Sequence, residues 1–445
     1  MMHDWFKTAK LGIFIHWGLN AVNGIHFSWP IARGQISFND YKEQRHSFTA
    51  DKFDPSEWAT LIKASGAKYA VLTTKHHDGF PLFDTQYTDY NSVKAAPCAC
   101  DLVAPYCQAF KDAGIKVGLY FSNTDWADDD HLRVMLNMSQ KEVDALRKAP
   151  TNFSALHDII KTQEVGDDKR ELEICWERFM TRYKGQIREL VTRHQPDVLW
   201  FDVMWMRKGF SWEQENVIKM ISELSPNTIC NNRLHGVGDY ETPENFIPHY
   251  RIDRPWELCA SMNMGWNPRK DIVDIEKNTH QIIRLFCECI TRGGNLLLNI
   301  GPDEHGLIPE SSKKRLLEIG RWTHKYAEAI YPTIAGLKSE YFLGGSTLSE
   351  DHKTLYLFAY DCSHGQLMLD GIYNPIKNIT SLVNGEKLTH MIEGAASWLN
   401  IPGRIWIQVP QNAIDELCTV IKIEFEEPIR LLPLDYDPHS VGEQQ

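Results

Sequence analysis

Five apolar runs between residues 11 and 230 each end in side chains that can bind hydroxyls or move protons. Leu11-Gly-Ile-Phe-Ile closes in His16-Trp17-Gly18, and Tyr69-Ala-Val-Leu-Thr-Thr74 closes in Lys75-His76-His77-Asp78. Lys116-Val-Gly-Leu-Tyr-Phe-Ser122 carries Tyr120 and runs into Asn123. Asp197-Val-Leu-Trp-Phe-Asp202 ends in a carboxylate flanked by Trp200 and Trp205, and Thr228-Ile-Cys230 leads into Asn231-Asn232-Arg233. Imidazoles and phenols bond hydroxyls, while indole faces suit the C–H surface of a sugar ring. Each residue alone has a plain structural use. An aspartate after a strand is often a helix cap, and a tryptophan near a strand end is often core. The repetition of such residues at successive strand ends is what points to a site.

The elements that must position them alternate between strand and helix. Asp54-Pro-Ser-Glu-Trp58 starts a helix, with acidic and small residues at its N-terminus. Helices are expected from Asp101 to Asp112, stopped by Gly114, and from Glu171 to His194, Trp212 to Leu224, Ile272 to Arg292 and Pro309 to Ala329. Further strands are expected at Pro255–Ala260 and Asn295–Ile300. Strands alternating with helices imply a parallel sheet, and this many units favour a TIM-like (β/α) barrel, whose chemistry sits at the carboxyl ends of its strands. Residues 125–168 are polar and weakly patterned, an insertion over one face with some helix. From about Gly336 the chain turns to short strands, at Thr354–Ala359, Gln366–Leu369, Ile405–Val409 and Val420–Phe425, which suits a small antiparallel β-sandwich. The expected division is a barrel over 1–335, a sandwich over 336–432 and a mobile tail over 433–445.

The length of 445 residues suits a large domain plus a small one. A formal net charge of -12 repels phosphate backbones, so a nucleic-acid partner is disfavoured. No run is apolar for long enough to cross a bilayer, and the start lacks a basic-then-apolar leader. The ten cysteines are scattered, and their two close pairs, Cys98/Cys100 and Cys287/Cys289, are C-x-C. These are expected to be small buried hydrophobes rather than metal ligands. A reducing, cytoplasmic setting follows from this pattern. No catalytic metal or cofactor is expected, because adjacent residues on an extended chain point apart and would make His76 and His77 a poor ligand pair.

The ordered set Gly12-Ile-Phe-Ile-His-Trp-Gly18, Thr73-Thr-Lys-His-His-Asp-Gly-Phe80, Gly118-Leu-Tyr-Phe-Ser122, Asp197-Val-Leu-Trp-Phe-Asp202, Pro255-Trp-Glu-Leu-Cys259 and Gly293-Gly-Asn-Leu-Leu-Leu-Asn-Ile-Gly-Pro302 resembles the glycoside hydrolase family 29 α-L-fucosidases. The motifs span about the first 300 residues in the family's order. The resemblance implies exo-acting, retaining hydrolysis of terminal α-L-fucose from oligosaccharides or glycoconjugates. It places the nucleophile at Asp202. It places the acid/base in the loop after the fifth strand, at Glu244 in Thr-Pro-Glu, with Glu241 the runner-up and Asp239 a further competitor. Glu257 in Trp-Glu-Leu-Cys is expected to be a buried structural carboxylate. His16, Trp29, His76, His77 and Tyr120 are implied to contact the sugar, with Arg233 near the nucleophile. Trp200 and Trp266 are expected to wall a pocket for the C6 methyl. Where several relatives carry a glutamate before the tryptophan matched by Trp29, this chain has Ser28, so a sugar-binding carboxylate is absent there.

A retaining mechanism needs one ionised and one protonated carboxyl about 5–5.5 Å apart, with their proton affinities pushed apart by environment. Alternative readings are an exo-glycosidase for another L-galacto-configured sugar and a non-catalytic carbohydrate-binding barrel. The expected partner is a fucosylated glycan.

Overall fold

The computed structural model describes residues 4–24, 28–156, 169–203, 205, 207–249, 252–263, 265–266 and 276–437. Seven strands form one parallel sheet: β1 (Leu11–Ile15), β2 (Tyr69–Lys75), β3 (Lys116–Ser122), β4 (Val198–Asp202), β5 (Ile229–Cys230), β6 (Glu257–Ser261) and β7 (Asn295–Ile300). Their spatial order is β5-β4-β3-β2-β1-β7-β6. Register puts Gly12 beside Tyr69, Tyr120 beside Trp200 and Ser122 beside Asp202, so the carboxyl ends line up on one rim.

The sheet is curled, and the period-2 alternation of its side chains shows how. Phe14, Val71, Tyr120, Trp200, Cys259 and Leu297 belong to an inner cluster. Their strand neighbours Ile13, Ile15, Leu72, Leu119, Leu199, Leu258 and Leu298 belong to the larger core under the helices. The helix Asp4–Ala9 delivers Phe6 to the inner cluster, 4.4 Å from the Tyr240 ring, near the amino ends of the strands. Gly12 is needed for this filling, because a Cβ there would lie 2.3 Å from the Tyr69 ring. The ladder does not run continuously from β5 to β6. Isolated parallel bridges at Asn231/Tyr240, Glu241/Trp256 and Glu244/Cys259 lie between them.

Most expected elements are present, with shifted ends. Asp54 caps Pro55–Ala64 by accepting from the Ser56 and Glu57 amides. The expected helix from Ile272 is described only as Thr279–Ile290, capped by Asn278 in a capping box with Gln281; residues 272–275 lie outside the described chain. Tyr326 breaks the last expected helix into Glu310–Lys325 and Ala327–Ile330. The insertion contains helices Asp129–Leu136 and Gln140–Lys148, tied to Lys169–His194 by Arg182 to Asp128 and Asp130; residues 157–168 lie outside the described chain.

After the parallel sheet come two antiparallel ones. Strands β8 (Ile334–Ala335), β9 (Gly345–Leu348), β10 (Thr354–Ala359), β12 (Ile376–Ser381) and β15 (Thr419–Phe425) form the order β12-β15-β10-β9-β8. Strands β11 (Gln366–Asp370), β13 (His390–Glu393) and β14 (Arg404–Gln408) form β11-β14-β13. Leu355, Leu357, Leu369, Ile405, Ile407, Ile421 and Ile423 make one cluster shared by both sheets. Strands β9, β12 and β13 lack apolar alternation, which is why the sequence pattern did not mark them. Of the tail, residues 438–445 lie outside the described chain, and Tyr436 is tied by its hydroxyl to the Leu399 carbonyl at 2.5 Å. All ten cysteines are unpaired; Cys287 and Cys289 are buried, as expected of small hydrophobes, whereas Cys100 is exposed and Cys98 half-buried.

Candidate active site

At the carboxyl rim lies a cavity of about 110 Å³, lined by Phe14, His16, Trp29, His76, His77, Tyr120, Trp200, Asp202, Val203, Arg233, Glu244, Cys259 and Trp266. All the expected site residues meet there except Glu241. That carboxylate instead accepts from Arg254 and Asn232, outside the lining. Asp239 is spent on the Cys230 amide. A larger cleft of about 450 Å³ lies past the buried Lys75–Asp125 pair, but its carboxylates Asp128 and Asp130 are already paired with Arg182. The smaller cavity is where unlike groups converge.

Its electrostatic centre is Arg233. One guanidinium nitrogen donates to Asp202 Oδ1 at 2.8 Å and another to Glu244 Oε2 at 2.9 Å. Tyr120 donates to the other Asp202 oxygen at 3.0 Å. Burial pushes the Asp202 carboxyl up, but the Arg233 charge and the donated hydrogen bonds outweigh it and hold the carboxyl below its usual range. Burial lowers His77 to about 4, with Lys75 and Arg233 adding to the effect and Asp202 opposing it. His77 is therefore neutral at ordinary pH, and Arg233 is the cation that keeps Asp202 ionised.

The histidine tautomers follow from their neighbours. The Ser122 hydroxyl donates to the Thr124 carbonyl at 2.7 Å, so it accepts from His77 Nδ1–H at 2.7 Å. Asn299 donates its amide to the Trp266 carbonyl, which aims its Oδ1 at His16 Nδ1. In both rings Nε2 is then the acceptor, suited to a hydroxyl donor. Ser28 does not stand in for a sugar-binding carboxylate. It is fully buried, bonds His76 Nδ1 at 2.7 Å and accepts from the Asp78 amide, so it orients His76.

One expectation about His76 and His77 is corrected. Their rings do not point apart; the centroids are 3.9 Å from each other, and their ligand atoms lie with an Asp202 oxygen within 4.8 Å. The pair follows the end of β2 in a turn closed by the Gly79 amide on the His76 carbonyl, so strand alternation does not apply. The set has the donor types of a divalent-metal site. The Arg233 and Lys75 charges that hold protons off His77 oppose a cation there for the same reason.

Phe14, Val203 and Cys259 were not singled out by sequence, although all three line the cavity. Phe14 was findable, since it alternates with Ile13 and Ile15. Val203 was not, because a β-branched residue at φ 46 contradicts its own propensity. The buttress of the end of β4 was also missed. Asn123 donates to the carbonyls of Asp202 and Arg233 and accepts from Tyr183. Glu257 lies beneath the site, fully buried, accepting from Tyr69 at 2.5 Å and from Trp200 Nε1 at 2.9 Å.

The profile of the α-L-fucosidase family matches residues 1–328. Human tissue α-L-fucosidase is 31% identical over 74% of this chain and 68% of its own. The structure of α-L-fucosidase isoenzyme 1 from Paenibacillus thiaminolyticus superposes with a TM-score of 0.79 at 32% identity, covering 95% of this chain and 98% of that one. A Bacteroides thetaiotaomicron α-L-fucosidase, solved as a trapped covalent intermediate with 2-fluoro-fucosyl fluoride, shares the fold with a TM-score of 0.78 at 24% identity, over 96% and 95% of the two chains. The chain that gathers two carboxylates, three histidines and an apolar wall on one rim thus belongs to the α-L-fucosidase family of glycoside hydrolases.

Proposed function

We propose that this enzyme removes terminal α-L-fucose from oligosaccharides or glycoconjugates with retention, by a double displacement in which Asp202 is the nucleophile and Glu244 the acid/base. The observation that carries the reading is the single Arg233 guanidinium holding both carboxylates. It draws the two into one small pocket, as the retaining geometry of about 5–5.5 Å requires. The two carboxylates differ in enclosure. Asp202 is enclosed and held ionised, while the Glu244 side chain is 40% exposed at the mouth, where a leaving group enters and departs. Asp202 attacks the anomeric carbon as Glu244 protonates the departing oxygen. Glu244 then takes a proton from the water that releases the sugar. The trapped intermediate of the Bacteroides relative is in keeping with this route.

The cavity volume suits one sugar ring and supports exo action. His16, His76, His77 and Tyr120 meet the ring hydroxyls, and Trp29 closes one side. Phe14, Trp200, Cys259 and Trp266 form a surface that a C6 methyl satisfies and a hydroxymethyl does not, which favours fucose over other L-galacto sugars. The segment 239–245 completes the ring of strands between β5 and β6 in this reading, making a TIM-like barrel over 1–335 with a β-sandwich over 336–432. Ten unpaired cysteines support a reducing, cytoplasmic location. The test is release of 4-nitrophenol from its α-L-fucoside, with the first-formed sugar assigned by NMR. Retention by the wild type and loss of several orders of magnitude in Asp202→Gly, with azide giving the β-fucosyl azide, are expected. A first-formed β-fucose, or an Asp202→Gly variant with more than a tenth of wild-type kcat, would sink the proposal.

A further inference from the structure

We infer that Phe246 is the platform for the group on the far side of the scissile bond, and that this subsite takes a leaving group with a flat apolar face. The inference rests on the reading of Glu244 as acid/base. The cavity holds one ring and is floored by Phe14 and Trp200, so whatever follows the glycosidic oxygen must lie outside it. The acid has to touch that oxygen, so the leaving group emerges beside Glu244.

The chain just past Glu244 is built to hold a side chain there. Asn245 adopts φ 55, and the Phe246 amide donates back to the Glu244 carbonyl at 2.7 Å, a three-residue reversal. The Asn245 amide donates to the Cys259 carbonyl at 2.9 Å, which fastens the reversal to β6. Beyond it, Ile247 packs on the core and the Pro248 carbonyl accepts from Arg292 at 3.2 Å. Phe246 therefore stands on a fixed base, yet the residue is 59% exposed. Its ring meets His249 edge to face, with centroids 5.2 Å apart at 78°. Among the described residues, no other exposed large hydrophobic lies within two positions of a residue lining the cavity. An exposed phenyl beside the acid is poorly used by the free protein and well used by a stacked partner. An aryl group and the C–H face of a pyranose both offer that surface.

Three substrates separate the possibilities: α-L-fucosyl fluoride, whose leaving group is one atom, 4-nitrophenyl α-L-fucoside, and a fucosyl disaccharide. Phe246→Ala should raise KM roughly three- to tenfold on one or both of the larger substrates, with kcat little changed and fucosyl fluoride hydrolysed as by wild type. Phe246→Trp should keep or lower those KM values. An effect on the nitrophenyl substrate alone marks an aryl site, and one on the disaccharide alone marks a sugar site. Equal losses on all three substrates, or no change on either larger one, would overturn the assignment. Wild-type protein inert on all three would overturn the fucosidase reading itself, and this proposal with it.

Discussion

Replacing Arg233 by Met should move the acid limb of the pH–rate profile upward, because this guanidinium sets the charge of Asp202. The substitution keeps the length and the contact over the Trp200 ring, whose centroid is 4.7 Å from the Arg233 Cζ, but removes the cation 2.8 Å from Asp202 Oδ1. Leaving a buried charge without its partner costs about 3–5 kcal/mol. Asp202 and Arg233 keep 16% and 21% side-chain exposure, and the Tyr120 hydrogen bond remains. The lower end, about 3 kcal/mol, is therefore the appropriate figure, and at 1.36 kcal/mol per unit it corresponds to about two pH units. The sign is fixed by the direction of the present shift. Arg233 pulls the carboxyl down, so its loss lets burial push the carboxyl up. The profile of kcat/KM reports the free enzyme. Its acid limb should move upward by about two pH units from below the ordinary aspartate range. The activity lost at acidic pH should be largely regained by pH 8. His77 should partly compensate, since Arg233 is one of the charges holding protons off it. Arg233→Lys should fall between the two. An Arg233→Met enzyme whose activity drops equally at every pH, with the limb unmoved, would refute the reasoning.

Glu244→Ala should cripple cleavage of fucosides with poor leaving groups far more than of the nitrophenyl substrate, and azide should restore turnover with the α-fucosyl azide as product; rescue in Glu241→Ala with a near-normal Glu244→Ala would move the role to Glu241. A chelator should leave turnover unchanged, and added zinc should compete with substrate at His76, His77 and Asp202 weakly at most; full inhibition by chelator, reversed by zinc, would make this a metal site. Burial raises Glu257 to about 7, against the hydrogen bonds from Tyr69 and Trp200 and the Arg233 charge. The folded state therefore binds this proton more tightly than the unfolded one. The stability gained is complete below about pH 4.5 and fades as pH rises through about 7. Glu257→Gln cannot titrate, so its stability relative to wild type should grow by about 3 kcal/mol from pH 5 to 8.5 in urea unfolding; parallel pH curves would refute the assignment.

How much of this was legible in the sequence depended on whether a residue acts from a strand end. His16, Tyr120 and Asp202 were readable because a parallel strand buried on both faces is a near-continuous apolar run, and its first polar residue marks the rim. Arg233 came the same way, two residues past the short strand β5. Glu244 came from a family motif, and its position depends on the isolated bridge to Cys259, which no local pattern encodes. His76 and His77 are legible as polar residues at the end of β2, but their orientation is not, because the alternation rule for strands stops at Lys75. Ser28 was legible as a departure from the family, yet its bond to His76 is long-range and could not be read.

The least legible layer is the one that decides what the legible residues can do. Asp202 stays ionised rather than becoming a buried acid only while Arg233 faces it, and Arg233 stays there because Asn123 holds the carbonyls of both residues. His77 is an acceptor because Ser122 spends its own proton on Thr124. Trp200 keeps its face under Arg233 because Glu257, on β6 and five places away in the order of the sheet, holds its indole nitrogen. None of these partners is near in sequence to the group it controls, apart from Ser122 and Thr124. Side-chain chemistry can be read from residue type and strand position, whereas charge state and tautomer are properties of pairs brought together only when the sheet curls.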